Sequence, residues 1–238
     1  MPKGVCWVEK RKVVIACATV IEEMLPLMPE GMEHRVLEFG LHVYPDKLRT
    51  TVQANIDEVV GAHPGEELAV LLGYGLCSQA LVGVQARGCT LVLPQVDDCI
   101  AIFLGSRAAY QKQAGAEPGT YYLTKGWIEV GETPFSEYQR TVERFGKARA
   151  ERLFKIMLAN YKRLAMINTG SYDIDRYREY AEQTALRFNL RYEEIDGSDM
   201  MVRKLLFGPW DAEFVLLGPG ERVTLAHFYH QMGQPAPE

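Results

Sequence analysis

No stretch of the 238-residue chain approaches the ~18 consecutive apolar residues of a membrane-spanning helix. The opening MPKGVCWVEKRK lacks the apolar core of a secretory signal. Both absences lead to the expectation of a cytoplasmic protein, in a reducing compartment where cysteines stay thiols or bind metal. Surplus positive charge is missing as well. With 26 Lys and Arg against 31 Asp and Glu, and a net charge of −5, the chain lacks the basic face a nucleic-acid binder needs. Its five cysteines (6, 17, 77, 89 and 99) contain no CxxC pair, which removes zinc-ribbon and thioredoxin-type motifs. The run GYGLC is not GxGxxG, and there is no GxxxxGK[ST], so neither the dinucleotide fingerprint nor a P-loop is present. No internal repeat of ~20–50 residues is visible.

What is present is an ordinary globular composition, 47% hydrophobic and 24% charged, arranged in an α/β rhythm. Short apolar runs at 13–17, 35–39, 68–73 and 90–94 read as strands. Helical spacing follows at 18–27, 46–60, about 77–87 and about 98–112. Residues 113–134, with Gly115, Pro118, Gly119, Gly126, Gly131 and Pro134, read as a loop or lid with a short extended piece around TYYLTKGW. Residues 135–160 read as one long amphipathic helix with Gly146 as a bend. Strands then follow at 163–168, 190–195 and 213–217, with helices at 173–188 and 199–207. The tail QMGQPAPE reads as frayed. The expected fold class is α/β, built of parallel-sheet βαβ units in two Rossmann-like lobes facing a cleft, one over 1–134 and one over 135–238.

Three cysteines stand just past strand-like runs: Cys17 after VVIA, Cys77 after LAVLLGYGL and Cys99 after TLVLPQVDD. If those strands are neighbours, the three thiols emerge at the carboxyl edge of one sheet, where α/β proteins place ligands. Three thiolates suit an iron–sulfur cluster or zinc and leave a coordination position open. His42, in GLHVYP after the second strand, is placed at the same edge as a fourth ligand or acid/base group. Asp97 and Asp98 precede Cys99 and read as hydrogen-bond acceptors to the ligands, as substrate contacts, or as a helix cap. Each cysteine taken singly is equally explained by core packing. Cys89 comes before its strand and reads as structural; nothing assigns a role to Cys6.

Substrate contacts are expected from Tyr74 and Gly75 at the third strand's end, and from Thr124 and Trp127 in the loop reading. The turns NTGSYD and DGSD add Gly170 with Ser171 and Gly197 with Ser198, as backbone donors for an anionic group. Turn chemistry with N-capping for the glycine–serine turns, and packing of the loop by Trp127 and the tyrosines, are the simpler readings of these residues.

The run LLGYGLCSQALVGVQARGCTLVLPQVDDCIAIFLGSRAAY, with PGTYYLTKGW, GLHVYPDKL and the later MINTG, DG and GPWDAEFVLLGPG pieces, resembles the domain-of-unknown-function family 1638 over nearly the whole chain. That family carries no established activity. The resemblance implies an association with corrinoid-dependent methyltransferases in anaerobic one-carbon metabolism, and it includes Cys17, Cys77, Cys99, Asp97, Asp98 and His42 in the family's pattern.

The leading expectation is a metal-dependent enzyme or metal-bearing accessory protein acting on a small-molecule substrate, with a corrinoid protein or methyltransferase as partner. A second is a corrinoid or cofactor binding protein or chaperone without catalysis. The absence of a DxHxxG cobalamin signature counts against direct binding in that mode. A third is a metal-free thiol enzyme using Cys99 beside Asp98.

Overall fold

A computed structural model describes residues 10–130 and 133–229. Cys6, Gly131 and the tail from residue 230 onward lie outside the described residues. In chain order the elements are β1 (Arg11–Cys17), α1 (Ala18–Met24), β2 (His34–Leu37), α2 (Pro45–Ala62), β3 (Leu68–Gly73), β4 (Thr90–Pro94), α3 (Cys99–Phe103), α4 (Arg107–Ala116) and β5 (Thr120–Leu123). They continue with α5 (Lys125–Glu129), α6 (Pro134–Phe145), α7 (Lys147–Met157), β6 (Arg163–Asn168), α8 (Asp175–Arg187), β7 (Arg191–Asp196), α9 (Met200–Phe207), β8 (Phe214–Leu217) and α10 (Ala226–Tyr229). The fold is α/β and its sheets are mostly parallel. The chain groups into two compact units. Of the described residues, the first takes 10–17, 28–98 and 204–229; the second takes 18–27, 99–130 and 133–203.

The first unit holds a five-stranded sheet in the order β2-β1-β3-β4-β8. The first four strands run parallel; β8 closes the edge antiparallel to β4, with Val92 opposite Leu216. Val13–Ala16 and Leu68–Leu72 are almost fully buried. That burial on both faces is why these strands are unbroken apolar runs without alternation. α2 starts with Pro45 at its first position and packs Leu48, Val52, Ile56 and Val59 inward, three or four residues apart.

Two expectations for this unit are corrected. Residues 77–87 are not a helix. The chain turns repeatedly and then pairs through its backbone with a distant segment: the Gly83 amide donates to Val223 O, the Val223 amide to Val84 O, and the Ala86 amide to Glu221 O. These long-range bonds satisfy the groups a helix would have satisfied locally. The strand at 213–217 does not continue the later α/β units; it belongs to the first sheet.

The second unit holds a parallel three-stranded sheet, β5-β6-β7. Its apolar centre includes Leu123, Leu164, Met166, Tyr177 and Ala181. The segment expected as a lid supplies its first strand. Leu123 is fully buried, and Thr120 to Leu123 stand opposite Arg163 to Met166. The helix expected over 98–112 is split at Gly105, whose φ of 81° no continuing helix allows. Ser106 then caps α4 by accepting from the Ala109 amide at 3.0 Å. The long helix expected over 135–160 is likewise two helices. A capping box of Thr133 and Ser136 opens α6, and Gly146, at φ 82° and ψ 156°, separates it from α7.

Candidate functional site

The strand order decides whether the cysteines can meet. β1 lies between β2 and β3, and β3 lies beside β4, so the ends of β1, β3 and β4 are neighbours at one carboxyl edge. Cys17 is the last residue of β1, in register with Leu37. β3 ends at Gly73, opposite Ala16. Tyr74, Gly75 and Leu76 carry the chain on to Cys77, anchored where the Leu76 amide donates to Val96 O (2.8 Å) and the Cys77 amide to Asp97 O (2.9 Å). Gly75 passes so close to the loop after β4 that a Cβ there would lie 2.9 Å from Asp98 Cα, Asp98 N and Val96 O. Glycine at 75 is therefore a packing requirement of the edge.

Cys77 opens an unusual backbone segment. Cys77, Ser78 and Gln79 have φ of 47°, 56° and 65°, three successive non-glycine residues in the left-handed region. Each such residue costs roughly 1–2 kcal/mol, and strain of this kind gathers at functional sites. The Ala80 amide closes the turn onto Cys77 O at 3.0 Å.

Electrostatics tie the residues together. Burial pushes the Cys77 thiol up to about 12, and the charges of Cys17 and Asp98 add to the shift. Cys77 keeps some accessible surface, but its sulfur is largely desolvated. His42 lies in a tight turn, Leu41–Val43, after β2, with its ring edge-on to Phe39 at 5.9 Å between centroids. Burial holds its imidazole below the usual value, partly offset by Asp98. Cys17, Cys77, His42 and Asp98 therefore share one edge of the first unit. Asp97 contributes its backbone carbonyl there. Cys99 is the first residue of α3 and is joined to Asp98 by the peptide bond. Cys17, Cys77, Cys89 and Cys99 are in no disulfide. Among the described residues no three His, Cys, Asp or Glu side chains form a group that could hold a metal ion. The donor types fit zinc or an iron–sulfur cluster; closing a coordination shell on them requires side chains to turn toward a common point.

The expected contacts on the later strands are all in the second unit. Gly170 has φ 75°, and its amide is already bonded to Asn168 Oδ1 at 3.0 Å, an Asx-type turn. Gly197 packs so tightly that a Cβ would lie 2.7 Å from Phe103 O. Ser198 donates its amide to Phe103 O (2.9 Å) and accepts from the Met200 amide (3.1 Å). The last two residues thus have packing and capping roles. Trp127, on α5, packs edge-on to Phe103 at 5.4 Å. Thr124 is fully buried just before α5.

Glu23 belongs to none of the sequence motifs. This α1 residue is only 2% exposed and accepts from the Thr169 hydroxyl at 2.6 Å. Burial raises its pKa above the ordinary 4.5, while Thr169, Ser171 and Lys125 act in the opposite direction. The signal was available: Glu23 lies on the same side of α1 as Val20 and Met24, both fully buried.

The fold and its thiol-bearing edge define a mixed α/β protein with a candidate ligand site at the carboxyl ends of parallel strands. The model for "Protein of unknown function (DUF1638)" matches residues 36–206, and the chain belongs to that family. No curated protein and no solved structure matches it. Among the described residues no helix is long and apolar enough to cross a membrane.

Proposed function

We propose that the protein is a metal-dependent enzyme or metal-bearing accessory protein whose ligands are Cys17, Cys77 and Cys99, with His42 or an exogenous molecule in the remaining position. The observation that carries this reading is the Cys77 environment. A second thiol and a carboxylate both act on a desolvated sulfur held by a strained turn. Acceptor groups gathered in this way favour a cation, which would convert the thiols to thiolates. Cys99 enters through chain connectivity, as the neighbour of Asp98. Zinc or an iron–sulfur cluster would supply Lewis acidity at the open position. His42, held toward its neutral form, is suited to ligate or to accept a proton. Methyl transfer with a corrinoid-protein partner is the reaction class we attach to the site, on the family resemblance alone.

A metal-free thiol enzyme using Cys99 is the weaker reading, because α3 offers a helix start of only five residues, Cys99–Phe103, and the neighbouring Asp98 carboxylate opposes a thiolate. Anaerobic purification followed by iron, sulfide and zinc analysis tests the proposal. Bound metal in the wild type, with most of it lost in each of Cys17→Ser, Cys77→Ser and Cys99→Ser, is the expected result. Metal-free wild-type protein, or full retention in all three variants, overturns it.

A further inference from the structure

The second unit holds a polar cluster that uses none of the cysteines. Glu23 Oε2 is bonded to Thr169, but Glu23 Oε1 has no hydrogen-bond partner among the described residues. Thr124 Oγ1 and Ser171 Oγ are in the same condition. The Ser171 hydroxyl does act on the Glu23 carboxyl, though without a well-formed hydrogen bond. Thr124 is fully buried, so water cannot serve it as it would on the surface.

These groups share one strand edge. Thr124 follows β5, and Thr169 and Ser171 follow β6, its parallel neighbour, with Leu123 opposite Met166. α1 carries Glu23 to the same edge. A Cβ at Gly126 would lie 2.5 Å from Thr19 O, so the start of α5 packs on α1 one helical turn before Glu23.

The charges set the class of ligand. Glu22 pairs with Lys125 at 3.0 Å, and Lys125 and Glu22 both act on Glu23. Tyr172, which also faces Glu23, is held neutral by burial. With Glu22, Glu23 and Lys125 all ionised the cluster carries one net negative charge, and a proton on Glu23 brings it to neutrality. A monovalent cation can take that proton's place. An anion would meet carboxylates, with the nearby lysine already paired. The three unpartnered atoms are oxygens, and a primary ammonium group presents three donors and no acceptor.

We propose that Glu23, Thr124 and Ser171 form a binding site for a primary ammonium group. Ammonium and proton compete for Glu23: where the carboxyl is protonated, binding releases that proton to solvent, and the carboxylate and the ammonium remain as a buried, hydrogen-bonded pair. This goes beyond the metal reading and does not depend on it.

The probe is ethylammonium chloride, with tetraethylammonium chloride at equal ionic strength as the cation without N–H donors. Binding to the full chain is followed by thermal stability and calorimetry at about pH 8 and about pH 6. Ethylammonium alone should bind, releasing a proton wherever the free carboxyl holds one, with affinity falling up to about tenfold per pH unit below the Glu23 pKa. Glu23→Gln should abolish binding, and Thr124→Val should weaken it by about tenfold. Equal effects of the two salts, absence of binding at both pH values, or undiminished binding in Glu23→Gln overturns the proposal. If Glu23→Gln does not fold, undiminished binding in Thr124→Val overturns it.

Discussion

Ala16 of β1 stands directly opposite Gly73 of β3, and this register brings the two thiols into one environment. Cys17 is the residue after Ala16. The Cys77 turn begins four residues after Gly73 and is tied to the β4 loop by the Leu76 and Cys77 amides. Moving β3 by one residue would turn its side chains to the other face and carry the turn away from β1.

The turn itself gives the most direct test of strain. Ser78 sits between Cys77 and Gln79 at φ 56°, where glycine has no Cβ penalty. Ser78→Gly should stabilise the protein by about 0.5–1 kcal/mol, the left-handed penalty less the extra unfolded-state entropy of glycine. Urea unfolding measures it. A stability loss would mean that the backbone here is not strained.

Gly75→Ala should act in the opposite direction. The added methyl would meet Asp98 backbone atoms and Val96 O at 2.9 Å, and neither is a flexible chain end that can move aside. A loss of about 1–3 kcal/mol is expected, as for overpacked cores. Because the displaced residue is Asp98, the alkylation rate of Cys77 should change as well. An unchanged midpoint and unchanged thiol reactivity would contradict the close approach.

What could be read from the residues depended on how local their partners are. The strands at 13–17, 68–73, 90–94 and 163–168 were legible because burial on both faces makes each a continuous apolar run. The placement of Cys17, Cys77 and His42 at one edge followed from that alternation. β5 was legible only as a short extended piece within a loop: TYYL between glycines is a full sheet strand because β6 stands beside it. Residues 77–87 have helical composition, and their pairing with 220–223 lies more than a hundred positions away. Glu23 belongs to no motif, and only its spacing from Val20 and Met24 marks it as lying on the buried side of α1.

Arg163 tests the second unit's construction. It is 3% exposed and donates to Thr120 Oγ1 (2.8 Å), Gln113 Oε1 (3.1 Å) and Glu193 Oε2 (3.2 Å). These bonds join β5, α4 and β7 around the first residue of β6. Arg163→Ala should cost about 3 kcal/mol, the scale for breaking a buried, hydrogen-bonded ion pair. A cost below about 1 kcal/mol in denaturant titration would place Arg163 among surface charges instead.

Glu23 makes stability depend on pH, and the sign follows from its burial. Its folded pKa lies above the unfolded value near 4.5, so between the two the folded state holds more protons than the unfolded chain. Stability from this group is full below the unfolded pKa and is lost as pH rises through the folded one. Glu23→Gln, which keeps the shape and cannot ionise, should remove that slope and leave the protein at least as stable as wild type once the pH exceeds the folded pKa of Glu23. Thr169→Val removes the hydroxyl that stabilises the carboxylate, so it should raise the Glu23 pKa further and steepen the loss toward higher pH. Paired urea titrations of the wild type and both variants between about pH 5 and pH 8 measure this. A wild-type curve parallel to that of Glu23→Gln would show that Glu23 ionises at its ordinary value in the folded protein.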